Sequence, residues 1–150
     1  IKEGIVDETG VMEYPYFESG IGLSEDGKIR FYQKDVREIQ LAKSAVRAGL
    51  ETLILRYGIT WDEIANVYVA GGFGHKMDIR KAVGIGLFPS SLEEKVKAVG
   101  NSCLRGAAKY LTESGAAKDT FRLAGLAKEV NLSNDKDFQE LYMEYMGFEP

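Results

Sequence analysis

Between Lys34 and about Arg56, apolar residues recur at three- and four-residue steps or their sums: Val36, Ile39, Val46, Leu50, Leu53 and Tyr57. Charges fill the other face, so the spacing predicts one long amphipathic helix with those six residues on its buried side. Ala42, Ala45, Ala48 and Gly49 are small enough for another element to approach it closely, and Gly58 is placed to cap its end. Before it the pattern is that of strand and turn. Val11 to Phe17 is rich in β-branched and aromatic residues, Ser19-Gly20-Ile21-Gly22 reads as a loop, and Lys28 to Phe31 follows a Glu25-Asp26-Gly27 turn. After it, Thr60 to Glu63 has capping-box spacing. Val67-Tyr68-Val69-Ala70 is a continuous apolar run suited to a strand buried on both faces. A helix is expected from about Asp78 to Gly84, and Ser90 to Glu93 repeats the capping-box spacing. Val96 to Val99 is a second strand, leading into a helix through Leu104 and Leu111. Another helix spans Ala116 to Lys128, and a brief strand covers Val130 to Leu132. A last helix, capped by Ser133 or Asn134, carries Phe138, Leu141, Tyr142, Tyr145 and Met146 on one side. Strands alternating with helices predict a single α/β domain over residues 1–150.

Composition narrows the function classes. With 19 basic and 23 acidic residues the net charge is -4, and no basic block stands out, which argues against nucleic acid or an anionic membrane as the main partner. One cysteine, Cys103, excludes an internal disulfide, and one cysteine with one histidine cannot make a four-ligand zinc or iron-sulfur site. Apolar stretches are too short to span a bilayer. A chain with no signal-peptide pattern and a free cysteine reads as cytoplasmic.

Candidate chemistry centres on glycine. The strand Val67 to Ala70 breaks at once on Gly71-Gly72-Phe73-Gly74. Without a Cβ, such residues can take positive φ and lie directly against a ligand at the carboxyl end of a buried strand. The spacing is neither a dinucleotide fingerprint nor a P-loop, and the same residues would equally make a tight turn that binds nothing. A second unit, Val99-Gly100-Asn101-Ser102, repeats strand, glycine and helix. On neighbouring strands the two turns would set backbone N–H groups and a helix N-terminus around one crevice. Asn101 and Ser102 would there bond a ribose or phosphate, or serve simply as helix caps. Lys43 and Arg47 lie four apart on the long helix, placed to flank an adenine ring or phosphate or else to be solvated. His75 has no acid or nucleophile at a motif spacing and reads as a loop histidine. Cys103, early in a helix, and the carboxylates Asp35, Glu38 and Asp78, near helix starts, carry no assigned chemistry.

Taken in order, four segments resemble one family. They are Asp35 to Lys43, Val67 to Gly74, Val99 to Ala107 and Asp137 to Glu144, and the resemblance extends from about Gly20 onward. The chain resembles the C-terminal domain of the reductive activators of corrinoid proteins, which also activate corrinoid-dependent methyltransferases. That family belongs to the superfamily of acetate and sugar kinases, heat-shock ATPases and actin. The resemblance implies an actin-like (ribonuclease-H-like) ATPase lobe, a mixed sheet flanked by helices, with ATP and Mg as cofactor. Complete members also carry an N-terminal [2Fe-2S] domain and a middle region, and couple ATP hydrolysis to returning Co(II) corrinoid to Co(I). It further implies that Gly71, Gly72 and Gly74, with Phe73 beside them, lie against the adenosine and α-phosphate. Lys43 or Arg47 would stand beside the adenine, and Gly100, Asn101 and Ser102 would lie at the nucleotide edge near Gly106-Ala107-Ala108. The implied partner is a corrinoid protein or corrinoid methyltransferase, with a homodimer a further expectation. No cluster-binding cysteine set and no phosphate hairpin with a catalytic aspartate occur here, so this piece alone is expected neither to transfer electrons nor to hydrolyse ATP well. The rival expectation is a non-catalytic docking or dimerisation module using the apolar side of the last helix, provided that side does not pack on the domain's own sheet.

Overall fold

The computed structural model describes residues 1–148, apart from the side chains of Phe73 and His75. Its spine is the predicted long helix, α2, over Gln33–Tyr57, which follows a four-residue helix, α1 (Tyr16–Ser19). The Tyr32 N–H donates to the Asp35 carboxylate at 2.8 Å to start α2, and Gly58 ends it in the left-handed conformation at φ 77°. Before α2, β1 (Ile21–Gly22) and β2 (Arg30–Phe31) form a short antiparallel pair. The expected strand from Val11 to Phe17 does not form. Only Met12 makes a bridge, with Val6, and the segment then turns into α1. Gln33 explains part of this: its side chain accepts from Met12 N and donates to Gly10 O, both at 2.7 Å, fixing this stretch to the start of α2 in place of a strand partner.

A second, parallel pair carries the α/β character. β3 (Val67–Ala70) and β4 (Val96–Gly100) run side by side, with Val67 opposite Val96, Tyr68 opposite Lys97, and Ala70 opposite Gly100 after an irregularity at Val69/Ala70. Two short helices connect them, α3 (Gly71–Lys76) and α4 (Ile79–Gly84), with the Asp78 carboxylate capping α4. A buried cluster of Ala82, Phe88, Leu92 and Val96 lies under Val67 and Val69 and reaches Leu50 of α2 and Trp61. The Thr60–Glu63 capping box forms as expected, the Glu63 carboxylate accepting from Thr60 N at 2.8 Å. The Ser90–Glu93 spacing gives a 3-10 turn preceded by Pro89, held by backbone bonds.

Two helices, α5 (Ser102–Thr112) and α6 (Ala116–Leu126), form a hairpin after β4. The expected strand at Val130 to Leu132 is irregular chain, and the last helix, α7 (Lys136–Glu144), is capped by Asp135, not Ser133 or Asn134. α7 packs against α2, not on a sheet. Phe138, Leu141, Tyr142, Tyr145 and Met146 are all half-buried, with the Phe138 and Tyr142 rings 6.0 Å apart.

That packing keeps Val36 and Leu50 of the predicted inner face of α2 inside but turns the rest of that face outward. Its buried positions are Val36, Gln40, Lys43, Ser44, Arg47, Ala48, Gly49 and Thr52, whereas Ile39, Val46, Leu53 and Tyr57 are exposed. The small and polar stripe wins because it meets the carbonyl groups at the end of α7, which apolar side chains could not satisfy.

Candidate glycine-edge binding site

Because β3 and β4 are parallel neighbours, their carboxyl ends lie at the same edge, and each runs straight into a helix. Gly71 has φ +92° and Gly100 φ +68°, conformations that side chains with a Cβ rarely adopt. A Cβ built on Gly71, Gly72 or Gly100 would meet nothing within 4 Å, so these backbones face open space. The two turns therefore come together as the strand order required, with the N-terminal N–H groups of α3 and α5 at the rim, of which Leu104 N is already taken by the Asn101 cap. Such groups, with the positive end of the helix dipole, suit a negatively charged or polar ligand. The first turn differs in one respect from expectation. Gly71 to Gly74 are not a loop before a later helix but the first residues of α3 itself.

Asn101 caps α5, its side chain accepting from Leu104 N at 2.9 Å, while Ser102 is the first helical residue and is exposed. The cap uses one lone-pair direction of the Asn101 carbonyl and leaves its NH2 group as a donor. Gly74 serves a different purpose. It is buried, and a Cβ there would lie 2.6 Å from Val69 Cγ1, so its missing side chain lets α3 close onto β3. The side chains of Phe73 and His75 lie outside the described residues. The backbone of His75 belongs to α3 and not to a loop.

Lys43 and Arg47 do share a helix face, but that face is not solvated. Lys43 is 2% and Arg47 8% exposed. The Lys43 ammonium donates to the carbonyls of Tyr145, at 2.8 Å, and Gly147, and sits 5.2 Å from the Phe148 ring centre. Ser44 donates to Tyr142 O, and Gln40 to Met146 O at 2.9 Å. A positive charge at these carbonyls also answers the negative end of the α7 dipole. Arg47 lies over the Tyr145 ring and pairs with Glu51 at 2.9 Å. Glu51, which the sequence did not single out, is the hub here, accepting also from Trp61 Nε1 at 2.9 Å and Tyr145 OH at 3.3 Å. Burial, and then the Glu51 charge, push the Tyr145 phenol above its ordinary value. The i,i+4 spacing of Arg47 and Glu51 was the one signal available.

The opposite end of α7 holds a second charged group. Arg56 bridges Asp135 and Asp137 at 2.9 Å each, beside a cavity of about 510 Å³ that Asn131 and Asn134 also line. The Arg56 hydrogen bond, and then the Phe138 N–H, hold the Asp135 carboxyl below the usual range. The guanidinium already answers both carboxylates, so the group reads as a clasp between α2 and α7. Among the described residues no three histidines, cysteines, aspartates or glutamates group as metal ligands, and no helix is long and apolar enough to cross a membrane. Cys103 is exposed near the start of α5.

Comparison with known proteins fits this architecture. Residues 3–149 match the family described as the C-terminal domain of RACo, the ASKHA domain, and the chain belongs to that family. It is 35% identical over 123 residues to the corrinoid activation enzyme RamQ of Eubacterium limosum, covering 81% of this chain and 21% of that one. It is 26% identical over 145 residues to the [Co(II) methylated amine-specific corrinoid protein] reductase of Methanosarcina barkeri, covering 95% of this chain and 26% of that protein. Among solved structures, a reductive activator for corrinoid, iron-sulfur protein superposes with a TM-score of 0.85 at 26% identity, over 99% of this chain and 26% of its own. The chain thus spans about a quarter or less of the length of these relatives.

Proposed function

We propose that this chain is the nucleotide-holding C-terminal lobe of an ATP-dependent reductive activator that returns a Co(II) corrinoid protein to Co(I) for methyl transfer. The observation that supports it best is the shared edge of β3 and β4. There two positive-φ glycines with open space before them stand at the starts of two helices. Gly71 and Gly72 let the ligand approach the backbone, the first N–H groups of α3 and α5 bond its phosphate or ribose oxygens, and Asn101 and Ser102 add side-chain donors. An ATP-Mg complex fits such a rim, whose partners are amide and hydroxyl groups and not carboxylates. When bound, ATP supplies differential binding energy, favouring whichever arrangement of the protein holds it more tightly. Gly74 shapes the rim from behind by allowing α3 to close. Lys43 and Arg47 support it at a distance, by tying α7 to α2, in place of the direct adenine contact expected from the sequence.

Electron transfer in this reading belongs outside these residues, since a single cysteine cannot hold a [2Fe-2S] cluster. The corrinoid partner is inferred from the relatives' names. The docking role expected of α7 loses its surface, because the face concerned packs on α2.

Calorimetric titration of the chain with ATP-Mg and ADP, beside Gly72→Val, tests the reading. Nothing lies within 4 Å of a Cβ at position 72 and its φ is not positive, so valine is tolerated there by the fold but obstructs the approach. The expected result is binding to the parent chain and at least about tenfold weaker binding to the variant, a difference of about 1.4 kcal/mol. Equal affinities, or a parent chain that binds neither nucleotide, overturn it.

A further inference from the structure

Glu51 is a largely buried carboxylate on which three separate elements converge. Its side chain is 15% exposed, and it lies in α2 one turn after Arg47, whose Nε donates to Oε1 at 2.9 Å. The Tyr145 hydroxyl, at the end of α7, donates to the same oxygen at 3.3 Å. Trp61, in the 3-10 turn Trp61–Glu63, donates its indole N–H to Oε2 at 2.9 Å. The indole has no other polar atom, so this bond alone fixes the polar side of the ring. Trp61 leads on to the parallel strands. It packs on the core cluster that Val67 and Val69 also join, and its carbonyl accepts from Lys95 Nζ at 3.3 Å. Lys95 stands just before β4, and its own carbonyl accepts from Val67 N, at the start of β3, at 3.0 Å. A line of bonded groups therefore runs from α7 through Glu51 and Trp61 to the entrance of both strands.

The α7 end of this line is the one able to move. No residue of α7 is fully buried. Its carboxyl end is held by polar bonds from Gln40, Lys43 and Ser44 to main-chain carbonyls, and its amino end by the half-exposed Arg56. An element held in this way opens at lower free energy than a packed core. When α7 lifts, the Tyr145 ring leaves the Arg47 guanidinium, 4.4 Å from its centre, and water reaches the Arg47–Glu51 pair. Bonds that are strong in a shielded network weaken once it is hydrated, and the carboxylate is then free to turn from Trp61. We propose that α7 is a releasable latch and that Glu51 is the positioning residue through which it acts. Seated, α7 holds the carboxylate on Trp61; lifted, it frees Trp61 and loosens the entrance of β3 and β4. An event that displaces α7 is thereby felt by the two strands that carry the glycine turns. Such coupling is reciprocal, so a disturbance at Trp61 also loosens α7. It does not depend on nucleotide binding at the glycine edge.

The chain has one tryptophan, so a single indole N–H signal in the NMR spectrum of the 15N-labelled protein reports the Trp61–Glu51 bond. Its solvent exchange is compared in the parent chain, in Tyr145→Phe, and in Asp135→Ala combined with Asp137→Ala. The last variant opens the far end of α7, roughly 15 Å along the helix from Tyr145. Both variants are expected to speed indole exchange about tenfold, with the Val67 amide following. Glu51→Met keeps the length of the side chain but cannot accept from the indole. In that background the same changes are expected to alter indole exchange by less than about twofold, because the connection is already cut. Trp61→Phe tests the reverse direction and decides the matter even if Glu51→Met does not fold. It is expected to speed exchange of the α7 amides from Leu141 to Tyr145 by a similar factor. Indole exchange indifferent to both α7 variants, effects of equal size in the parent and Glu51→Met backgrounds, or α7 amides unmoved by Trp61→Phe would each overturn the proposal.

Discussion

Gly72 and Gly74 are two positions apart and have opposite reasons to be glycine. At Gly74 a methyl group meets Val69 Cγ1 and backbone at once, so Gly74→Ala must push α3 off β3. The expected cost is about 1–3 kcal/mol, read from urea unfolding followed by Trp61 fluorescence. A variant as stable as the parent would show that Gly74 has no packing role. Lys43 is a comparable case among charged residues. Its ammonium is buried against the end of α7, and Lys43→Met leaves the carbonyls of Tyr145 and Gly147 without that donor. Losing charge-assisted bonds of this kind costs about 1–3 kcal/mol, and faster amide exchange confined to α7 would identify the element released. The glycines were legible in the sequence because Gly71-Gly72-Phe73-Gly74 breaks an apolar strand abruptly. The role of Lys43 was not, since nothing in its local spacing distinguishes a solvated lysine from one that meets carbonyl groups about a hundred residues away.

Among the elements, α2 and α7 show where periodicity succeeds and fails. The length of α2 was readable to within a residue or two from its caps and repeats. Its buried face was not, because the apolar positions Ile39, Val46 and Leu53 are exposed while Gln40, Lys43, Ser44 and Arg47 are covered. Hydrophobic pattern reports what an element prefers to bury, and here the polar demands of the α7 terminus decide the face instead. The two short strands Val67–Ala70 and Val96–Gly100 were found from apolar runs ended by glycine, while Val11 to Phe17 makes only the Met12–Val6 bridge before turning into α1, and Val130 to Leu132 is irregular. The start of α7 makes a pH prediction. The Asp135 carboxyl lies below its ordinary value in the folded chain, through Arg56 and the Phe138 N–H. An acid with a depressed folded value stabilises the fold above its unfolded pKa of about 3.9 and loses that contribution as pH falls through the folded value. Circular dichroism and α7 amide exchange between pH 6 and pH 2 are therefore expected to show α7 loosening on the acid side of about pH 4. In Asp135→Asn that step should be missing. An identical acid limb in both proteins would remove Asp135 from the docking of α7.

At the level of the whole molecule, one organisation relates the separate features. A core under β3 and β4 fixes a sheet edge, the edge carries two open glycine turns, and α2 with α7 forms a strut held at both ends by buried or bridging cations. The α/β class and the ordered motifs could be read from the sequence, and family membership agrees with them. The exposure of α5 could not, because an amphipathic pattern in sequence does not say what its apolar face meets. The central claim is that the two glycine turns form one nucleotide site. Backbone amide NMR of the 15N-labelled chain, titrated with ATP-Mg to millimolar concentration, tests it most directly. The predicted result is concerted shifts of the Gly71, Gly72, Gly100, Asn101 and Ser102 amides on one binding curve, with Asn131 to Asp137 unaffected. Shifts confined to one turn, shifts centred on the Arg56 clasp, or no shift at all would contradict it.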